Sequence, residues 1–338
     1  MTRRATSRAR GTSRVPLASF DVLTMGRVSV DLYPEQLGVP LAKVRTFAKS
    51  LGGSATNVSV AAARLGRRAA VITKVGQDGF GDYVREALAG FGVDSTFVGT
   101  HPTLRTPLVF CEIYPPDRFP LLFYREPTAP DMTLATAELP RAAIAEAALF
   151  WTTGTGLSAQ PSRDATLAAL DLAKGIRIHD LDHRPSLWAS GEDPRRWAVE
   201  AARRATVIIG NVDEVEMATG TRDAAAGARA LLAAGSEVVV VKRGMDGASA
   251  FTSEGSVEVP AIQVEVVCGL GAGDAFGGAL AHGILAKWEI GRSLAFANAA
   301  GAIVASRLAC ADAMPSASEV EALIAEKRDA PRPEPRGS

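Results

Sequence analysis

The stretch Cys268-Gly269-Leu270-Gly271-Ala272-Gly273-Asp274-Ala275-Phe276 lies where an apolar, strand-like run gives way to an Ala-rich helical run. Gly271 and Gly273 lack the Cβ atoms that would hold an anion away from the backbone. The helix that follows presents unpaired N–H groups and the positive end of its dipole. The turn therefore predicts a site for phosphate or developing negative charge, and Asp274 is either a simple N-cap or a base aimed at a substrate hydroxyl.

Outward from this turn, apolar runs alternate with Ala-rich helical stretches. Four such runs span 21–26, 69–73, 206–210 and 237–242. They are continuous rather than alternating, which is typical of strands covered on both faces. The pattern predicts an α/β fold of three layers, with a mostly parallel central sheet between helices and ligands beyond the carboxyl ends of the strands.

Two stretches, at about 31–50 and 104–128, interrupt this alternation. The second has two apolar runs, 108–114 and 121–125, on either side of Pro115-Pro116-Asp117, which predicts a β-hairpin. So few strands cannot form a core of their own, so we expect a small β-strand lid over the main sheet. The main domain is predicted to span 19–326.

Composition excludes several classes of protein. The chain has 338 residues, 47% of them apolar, and a formal net charge of +0, so we expect no nucleic-acid partner. No apolar run approaches the roughly 20 residues that span a bilayer, so we expect no membrane association. Cys111, Cys268 and Cys310 are few and unpaired by spacing, which indicates a reducing, cytoplasmic setting.

The two ends of the chain differ from its centre. Residues 1–14 carry five arginines and no acid, and 327–338 carry three prolines and mixed charge. We expect a disordered extension over 1–18 and a disordered tail over 327–338. A transit peptide at the N-terminus is the alternative, although the amphipathic apolar face of such a peptide is missing.

A second glycine motif, Leu51-Gly52-Gly53-Ser54-Ala55-Thr56-Asn57, precedes a helical run. Gly52 and Gly53 let the backbone close on a ligand, and Asn57 could present its amide to hydroxyls. Taken alone, the motif could equally be an ordinary turn with Asn57 as a cap.

Together the two glycine motifs resemble the signatures of the ribokinase or phosphofructokinase-B family of carbohydrate kinases. The resemblance covers about 20–324 and implies a ribokinase-like fold that transfers the γ-phosphoryl group of ATP to a sugar hydroxyl. In that family the acid at the helix start deprotonates the hydroxyl, and the glycine turn holds the phosphoryl charge. Asp274 would be this base, and Gly271, Ala272 and Gly273 would form the anion site.

The resemblance also implies a magnesium site. Asn211-Val212-Asp213-Glu214 follows a predicted strand and resembles the family's Asn-x-x-Glu element. Asn211 and Glu214 would then position Mg²⁺ and the phosphates, largely through water, because Mg²⁺ keeps much of its hydration shell. A helix cap with solvated acids is the alternative.

The nucleotide loop of the family resembles 242–247. On that basis Lys242 would lie near the phosphates, with Gly244 and Gly247 beside the adenosine moiety. Asn298, within Phe296-Ala297-Asn298-Ala299-Ala300, matches the adenine pocket, although an Asn among alanines is as often a buried, hydrogen-bonded core residue.

The acceptor side of the resemblance involves residues from three segments. Asp31 matches an acid that binds acceptor hydroxyls. The segment 180–188 resembles one in fructokinase and 2-keto-3-deoxygluconate kinase relatives, in which Arg184 would pair with a carboxylate. Tyr124 and Arg125 on the lid hairpin would close over the same ligand. A surface ion pair for Arg184 and lid packing for Tyr124 are the alternatives.

A wider set of segments resembles the branch of the family that phosphorylates the 6-hydroxyl of 5-dehydro-2-deoxygluconate in myo-inositol catabolism. The segments are 31–34, 116–120, 123–126, 153–158, 180–182 and 306–315. 2-Keto-3-deoxygluconate and fructose remain alternative acceptors, whereas Ser54 stands where ribokinases have a lysine and argues against ribose. Family relatives also often dimerise through their lids, so a homodimer is expected.

The chain departs from the family just before the catalytic turn. Many members have Asp-Thr-Thr there, and side chains of that segment bind an activating monovalent cation. Here the positions are Cys268, Gly269 and Leu270, so side-chain ligation of potassium is doubtful.

Two other classes of function can be weighed. A nicotinamide dehydrogenase could use the glycines at 269–273, but its fingerprint needs a third glycine where Asp274 stands. It also needs the turn near the beginning of a two-strand unit rather than near the end of the chain. A non-catalytic sugar sensor on the same fold is the other alternative, which the retained Asp274 disfavours.

Overall fold

A computed structural model describes residues 19–329. The extension predicted over 1–18 lies outside these residues, as does 330–338. The strands are β1 Val22–Met25, β2 Ser29–Pro34, β3 Phe47–Gly52, β4 Ala69–Gly76, β5 Val93–Asp94, β6 Val98–His101, β7 Leu108–Cys111, β8 Leu121–Tyr124, β9 Leu149–Thr153, β10 Ile176–Asp180, β11 Val207–Asn211, β12 Val238–Lys242, β13 Ala248–Phe251 and β14 Ser256–Val259.

Helices occupy the stretches between most strands. They are α1 Ser54–Arg64, α2 Gly79–Gly90, α3 Arg141–Glu146, α4 Ser162–Leu172, α5 Pro194–Ala202, α6 Val212–Thr219, α7 Ala224–Ala234, α8 Ala272–Leu285, α9 Ile290–Ala305 and α10 Ala317–Asp329. The tail predicted from residue 327 therefore overlaps the last turn of α10. Among the helices of 19–329, none has the length and hydropathy needed to cross a bilayer.

The central sheet has the order β14-β13-β12-β11-β10-β9-β1-β4-β5, with β6 beside β4. Its strands are parallel from β12 to β5, and only β13 and β14 add an antiparallel edge. All eight residues of β4 and all five of β9 are buried, because helices cover both faces. The predicted three-layer fold is confirmed.

The two helix layers have separate apolar cores. α1, α2, α8 and α9 pack on one face of the sheet around Trp151 and Phe276. α3 to α7 cover the other face around Phe150 and Ile208. These layers hold the ends of β10, β11 and β12 in fixed positions opposite the start of α8.

The stretches that interrupt the alternation form a second sheet, in the order β3-β2-β7-β8. β7 and β8 are antiparallel, with Val109 opposite Phe123, so the predicted hairpin is confirmed. Side chains of this lid, including Tyr33, pack with Cys268 and Cys310 beneath it. The lid therefore rests directly on the turn that begins α8.

Candidate active site

The turn before α8 has the conformation that its glycines allow. Gly271 is the N-cap of α8 and has a left-handed φ of 81°. A Cβ on Gly271 would lie 2.9 Å from the Cys310 Sγ atom and 3.0 Å from its Cα, so a larger residue does not fit. Ala272 and Gly273 follow in the first turn, where helix N–H groups have no partner within the helix. The turn can thus hold a negative charge.

Asp274 is the third residue of α8, so the alternative that it caps the helix does not hold. Its Oδ1 atom accepts a hydrogen bond from Ser54 Oγ at 2.8 Å, and its Oδ2 atom accepts one from Asn57 Nδ2 at 2.8 Å. Burial raises the pKa of Asp274 to about 6, although these two donors oppose the shift. A carboxylate with this pKa is ionised at neutral pH and still basic enough to take a proton.

The second glycine motif lies against Asp274 rather than standing apart from it. Gly53 is the N-cap of α1, with φ 98°, and a Cβ on it would lie 2.3 Å from the Arg27 carbonyl oxygen. Gly52 lies directly against the carboxylate of Asp31. Asn57 is the fourth residue of α1, not its cap, and its amide points to Asp274.

Three strand ends bring charged groups to the same edge of the sheet. Lys242 at the end of β12 has its Nζ atom 3.4 Å from Asp180 Oδ2 at the end of β10. A Cβ on Gly273 would be 3.5 Å from the same Nζ atom, so the cation lies beside the anion-binding turn. Lys242 is therefore placed where it could contact a phosphate.

Asn211 and Glu214 form the capping box of α6. The Asn211 Oδ1 atom accepts from the Glu214 N–H at 2.9 Å, and Glu214 Oε2 accepts from the Asn211 N–H at 2.7 Å. The capping alternative thus holds, but Glu214 is buried rather than solvated. Burial raises its pKa to about 7, against the opposing effect of Lys242.

Arg184 lies at the mouth of the same site and is 43% exposed. Its Nε atom donates to Asp182 Oδ1 at 3.0 Å. Asp182 above all, and then Glu214 and Asp274, raise the pKa of this guanidinium. Arg184 is therefore a cation surrounded by acids.

These groups line one cleft of about 480 Å³. The predicted residues that the cleft brings together are Asp274, Gly271, Ala272, Gly273, Arg184, Asn211, Glu214, Lys242, Gly244, Gly247 and Asn298. Pro116 and Phe119 from the lid hairpin also reach it, and Phe119 lies against Gly269. The cleft therefore runs between the lid, the catalytic turn and the carboxyl ends of the strands.

The far end of the cleft is apolar and suits a planar ring. Ile262 and Val264 line it with Ala302. Asn298 donates to the Pro260 carbonyl at 3.0 Å, so this amide anchors the loop that forms the pocket wall. Gly247 has φ 89°, and a Cβ there would lie 2.0 Å from the Val259 carbonyl oxygen.

The structure does not bring every predicted acceptor residue to the cleft. Tyr124 is 59% exposed and lies on the outer face of the lid, where its ring contacts Phe110 at 5.3 Å. The strand alternation instead turns Phe123 inward. Arg125 is buried and donates to Asp131 Oδ1 at 2.5 Å, and Asp31 is buried against Gly52.

Sequence reasoning missed two participants in the site. From sequence, Ser54 marks only a difference from ribokinases, yet its hydroxyl donates a hydrogen bond to Asp274. Asp180 was not assigned a role, although it pairs with Lys242. The place of Asp180 at the end of β10, at the same sheet edge as the other site residues, is the signal that could have found it.

No group of three or more His, Cys, Asp and Glu side chains in residues 19–329 is arranged to hold a metal by itself. Asp180 and Glu214 nevertheless line the same cleft as the glycine turn before α8. One or two carboxylates, with water and substrate phosphates, are the usual ligands of Mg²⁺. The residues present therefore fit a hydrated Mg²⁺ that enters with a nucleotide.

Comparisons with known proteins agree with this geometry. Residues 19–317 match the pfkB family of carbohydrate kinases. The 5-dehydro-2-deoxygluconokinase of Clostridium tetani is 33% identical over 321 residues, covering 92% of this chain and 94% of that protein. The enzyme of the same name from Lacticaseibacillus casei is 34% identical over 319 residues, covering 92% and 97%.

A solved structure shares the architecture. The fructokinase of Xylella fastidiosa with bound ATP superimposes with a TM-score of 0.82 at 26% identity, covering 91% of this chain and 99% of that one. The family match spans most of the chain. The chain belongs to the pfkB family of carbohydrate kinases.

Proposed function

We propose that this chain is an ATP-dependent kinase that phosphorylates the 6-hydroxyl of 5-dehydro-2-deoxy-D-gluconate in myo-inositol catabolism. The observation that carries the proposal is the buried Asp274 carboxylate, held by Ser54 and Asn57 beside the glycine turn in a nucleotide-sized cleft. The names of relatives 33% to 34% identical over 92% of the chain support the choice of acceptor. Family membership also excludes the nicotinamide dehydrogenase considered from sequence.

In this proposal Asp274 takes the proton of the acceptor's primary hydroxyl. The hydroxyl oxygen forms its bond to the γ-phosphorus while the bond to the β–γ bridging oxygen breaks, which releases ADP. The N–H groups of 271–273 and the Lys242 ammonium stabilise the negative charge on the transferring group. Mg²⁺, held through water near Asn211 and Glu214, would neutralise further phosphate charge when it is bound.

The lid gives the transfer its selectivity for sugar over water. Phe119 and Pro116 lie over the cleft, so lid closure on the acceptor excludes solvent from the phosphoryl group. Asp31, Gly52 and Gly53 are proposed to contact the acceptor, whose carboxylate was expected from sequence to pair with Arg184.

We further propose that two copies pair through the outer face of the lid. Tyr124 is 59% exposed there and Leu122 is 46% exposed, beside Phe110 and Phe47. Exposed apolar side chains on a sheet edge favour association. Light scattering of Leu122→Lys against the unaltered chain tests this, since the variant should be monomeric. We also propose that the protein works in the reducing cytoplasm, as its cysteines lead us to expect.

A coupled ADP-release screen tests the function. The acceptors are 5-dehydro-2-deoxygluconate, 2-keto-3-deoxygluconate and fructose, each with ATP and Mg²⁺. We expect the highest kcat/KM with the first, with phosphorus NMR locating the phosphate on the primary hydroxyl. Higher efficiency with either alternative would replace the acceptor, and transfer that is unchanged in Asp274→Asn would mean that Asp274 is not the base.

A further inference from the structure

Arg27 lies between the main sheet and the lid, directly after β1 and before β2. It is only 8% exposed. Its carbonyl oxygen accepts a hydrogen bond from Thr56 Oγ1 at 3.1 Å and lies against Gly53. The backbone of Arg27 is therefore fixed to the glycine motif whose helix holds Asp274.

The side chain of Arg27 is buried but incompletely partnered. Its guanidinium carbon lies 5.6 Å from the centre of the Phe123 ring, on the inner face of the lid. Its Nε atom is buried and has no hydrogen-bond partner within the described chain. A buried charged donor without a partner is costly, so such a group points to a ligand or water that completes it.

The nearby carboxylates do not supply the hydrogen-bond partner that Arg27 lacks. Asp131 is occupied by Arg125 and by the Val28 N–H, at 2.5 and 2.9 Å. Asp31 accepts a hydrogen bond from Ser29 at 2.6 Å. Within residues 19–329 no ion pair of 4 Å or less joins Asp31 to Arg27, although their charges are close enough for Arg27 to lower the pKa of Asp31 against the effect of burial.

Arg184, the cation expected from sequence, has the opposite environment. Its Nε atom already donates to Asp182, and the carboxylates of Glu214 and Asp274 lie nearby. An acceptor carboxylate that approached Arg184 would also approach these acids, which would repel it. Arg184 is better placed to neutralise the acids than to bind another one.

We propose that Arg27 binds the carboxylate of the acceptor, while Asp31 accepts a hydrogen bond from one of its hydroxyl groups. The acceptor would then lie beneath Phe123 with its other end directed toward Asp274. This assignment rests on the proposed function, because it presumes an acceptor that is a sugar acid. Arg27 would then be the residue that makes the enzyme prefer sugar acids to neutral sugars.

The test compares Arg27→Gln with Arg184→Gln, and uses Arg27→Lys to retain the charge. KM and kcat are measured for 5-dehydro-2-deoxygluconate, for fructose as a neutral sugar, and for ATP. We expect Arg27→Gln to raise KM for the acid about 10- to 100-fold, the usual effect of losing charge-assisted hydrogen bonds. KM for fructose and for ATP should change less than about twofold, and Arg27→Lys should restore part of the loss.

Thermal melting without ligand separates binding from folding. A binding role predicts that Arg27→Gln melts at or above the temperature of the unaltered chain, because an incompletely partnered buried charge is removed. A lower melting temperature together with equal losses on acid and fructose would make Arg27 structural. If Arg184→Gln raised KM selectively for the acid and Arg27→Gln did not, the carboxylate would be assigned to Arg184 instead.

The proposed function and the Arg27 site can be tested separately. If the unaltered chain transfers phosphoryl to no sugar acid, that function is wrong, and melting in the presence of 5-dehydro-2-deoxygluconate then decides the role of Arg27. A ligand-induced rise in melting temperature that Arg27→Gln abolishes would retain the carboxylate site. The absence of any rise in the unaltered chain would overturn it.

Discussion

Ser54 sets the basicity of Asp274, and Ser54→Ala should shift the pH dependence of phosphoryl transfer. The Ser54 hydroxyl donates to Asp274 Oδ1 at 2.8 Å, and Asn57 holds the other oxygen. Both donors favour the ionised carboxylate, whereas burial favours the protonated form and raises the pKa to about 6. Removing one donor therefore raises the pKa further.

The size of the shift follows from the hydrogen bond that is lost. A hydrogen bond to a charged group contributes about 1.5 to 3 kcal/mol, and one pKa unit corresponds to about 1.4 kcal/mol. Ser54 borders the cleft, so water can replace part of the contact. We therefore expect the lower end of this range, a rise of about one unit in the pKa of Asp274, from about 6 to about 7.

The measurement is the pH profile of kcat/KM for the acceptor in the free enzyme, from about pH 5 to 9. Ser54→Ala should move the acidic limb upward by about one unit and leave the plateau rate largely intact. Ser59→Ala is the matched control, because Ser59 is also a buried serine of α1, but its hydroxyl donates to the Thr56 carbonyl. An unmoved limb in Ser54→Ala, or an equal shift in Ser59→Ala, would refute the assignment of Asp274 as the titrating base.

Three further predictions concern the catalytic turn. Asp274→Asn should reduce kcat about 10²- to 10⁴-fold. Because the native pKa of about 6 exceeds the ordinary value of 3.8, native Asp274 retains its proton between these pH values and stability falls as pH rises through them. In denaturant titrations, the free energy of unfolding of Asp274→Asn should exceed that of the unaltered chain by up to about 3 kcal/mol at pH 8 and by nothing below pH 4. An equal difference at both pH values would contradict this prediction. Gly271→Ala should abolish transfer while far-UV circular dichroism stays native, since its Cβ meets Cys310; retained kcat would refute the close packing. Replacing K⁺ by tetramethylammonium should change the rate less than about twofold, because Cys268 and Leu270 offer no charged ligand; a larger loss would indicate carbonyl ligation.

The main sheet could be predicted from the sequence because its strands are buried on both faces. Runs such as Val238–Lys242 have no polar alternation, and that pattern has few interpretations other than a covered parallel strand. The antiparallel edge β13–β14 could not be predicted in the same way. Ser256–Val259 is largely exposed and carries little apolar signal, so only its pairing with β13 defines it.

The lid shows why site residues are harder to place than strands. The hairpin was evident, but Leu121-Leu122-Phe123-Tyr124 is apolar at every position, so the sequence does not say which alternate side chains face inward. The register with β7 decides it, and it directs Phe123 inward, toward the residues beneath the lid, and Tyr124 outward. The role of Arg125 was equally hard to predict, because its ion-pair partner Asp131 is brought next to it only by the folding of the chain.

The two glycine motifs illustrate a further limit of motif reasoning. Each was predicted to bind its own part of the substrates, the first the acceptor and the second the phosphoryl group. In the folded chain the first motif also fixes the base of the second, since Ser54 and Asn57 both donate to Asp274. Changes near Gly53 should therefore alter the chemistry as well as acceptor binding. This coupling arises because α1 and α8 pack together on one face of the sheet, a contact that no local pattern in either motif encodes.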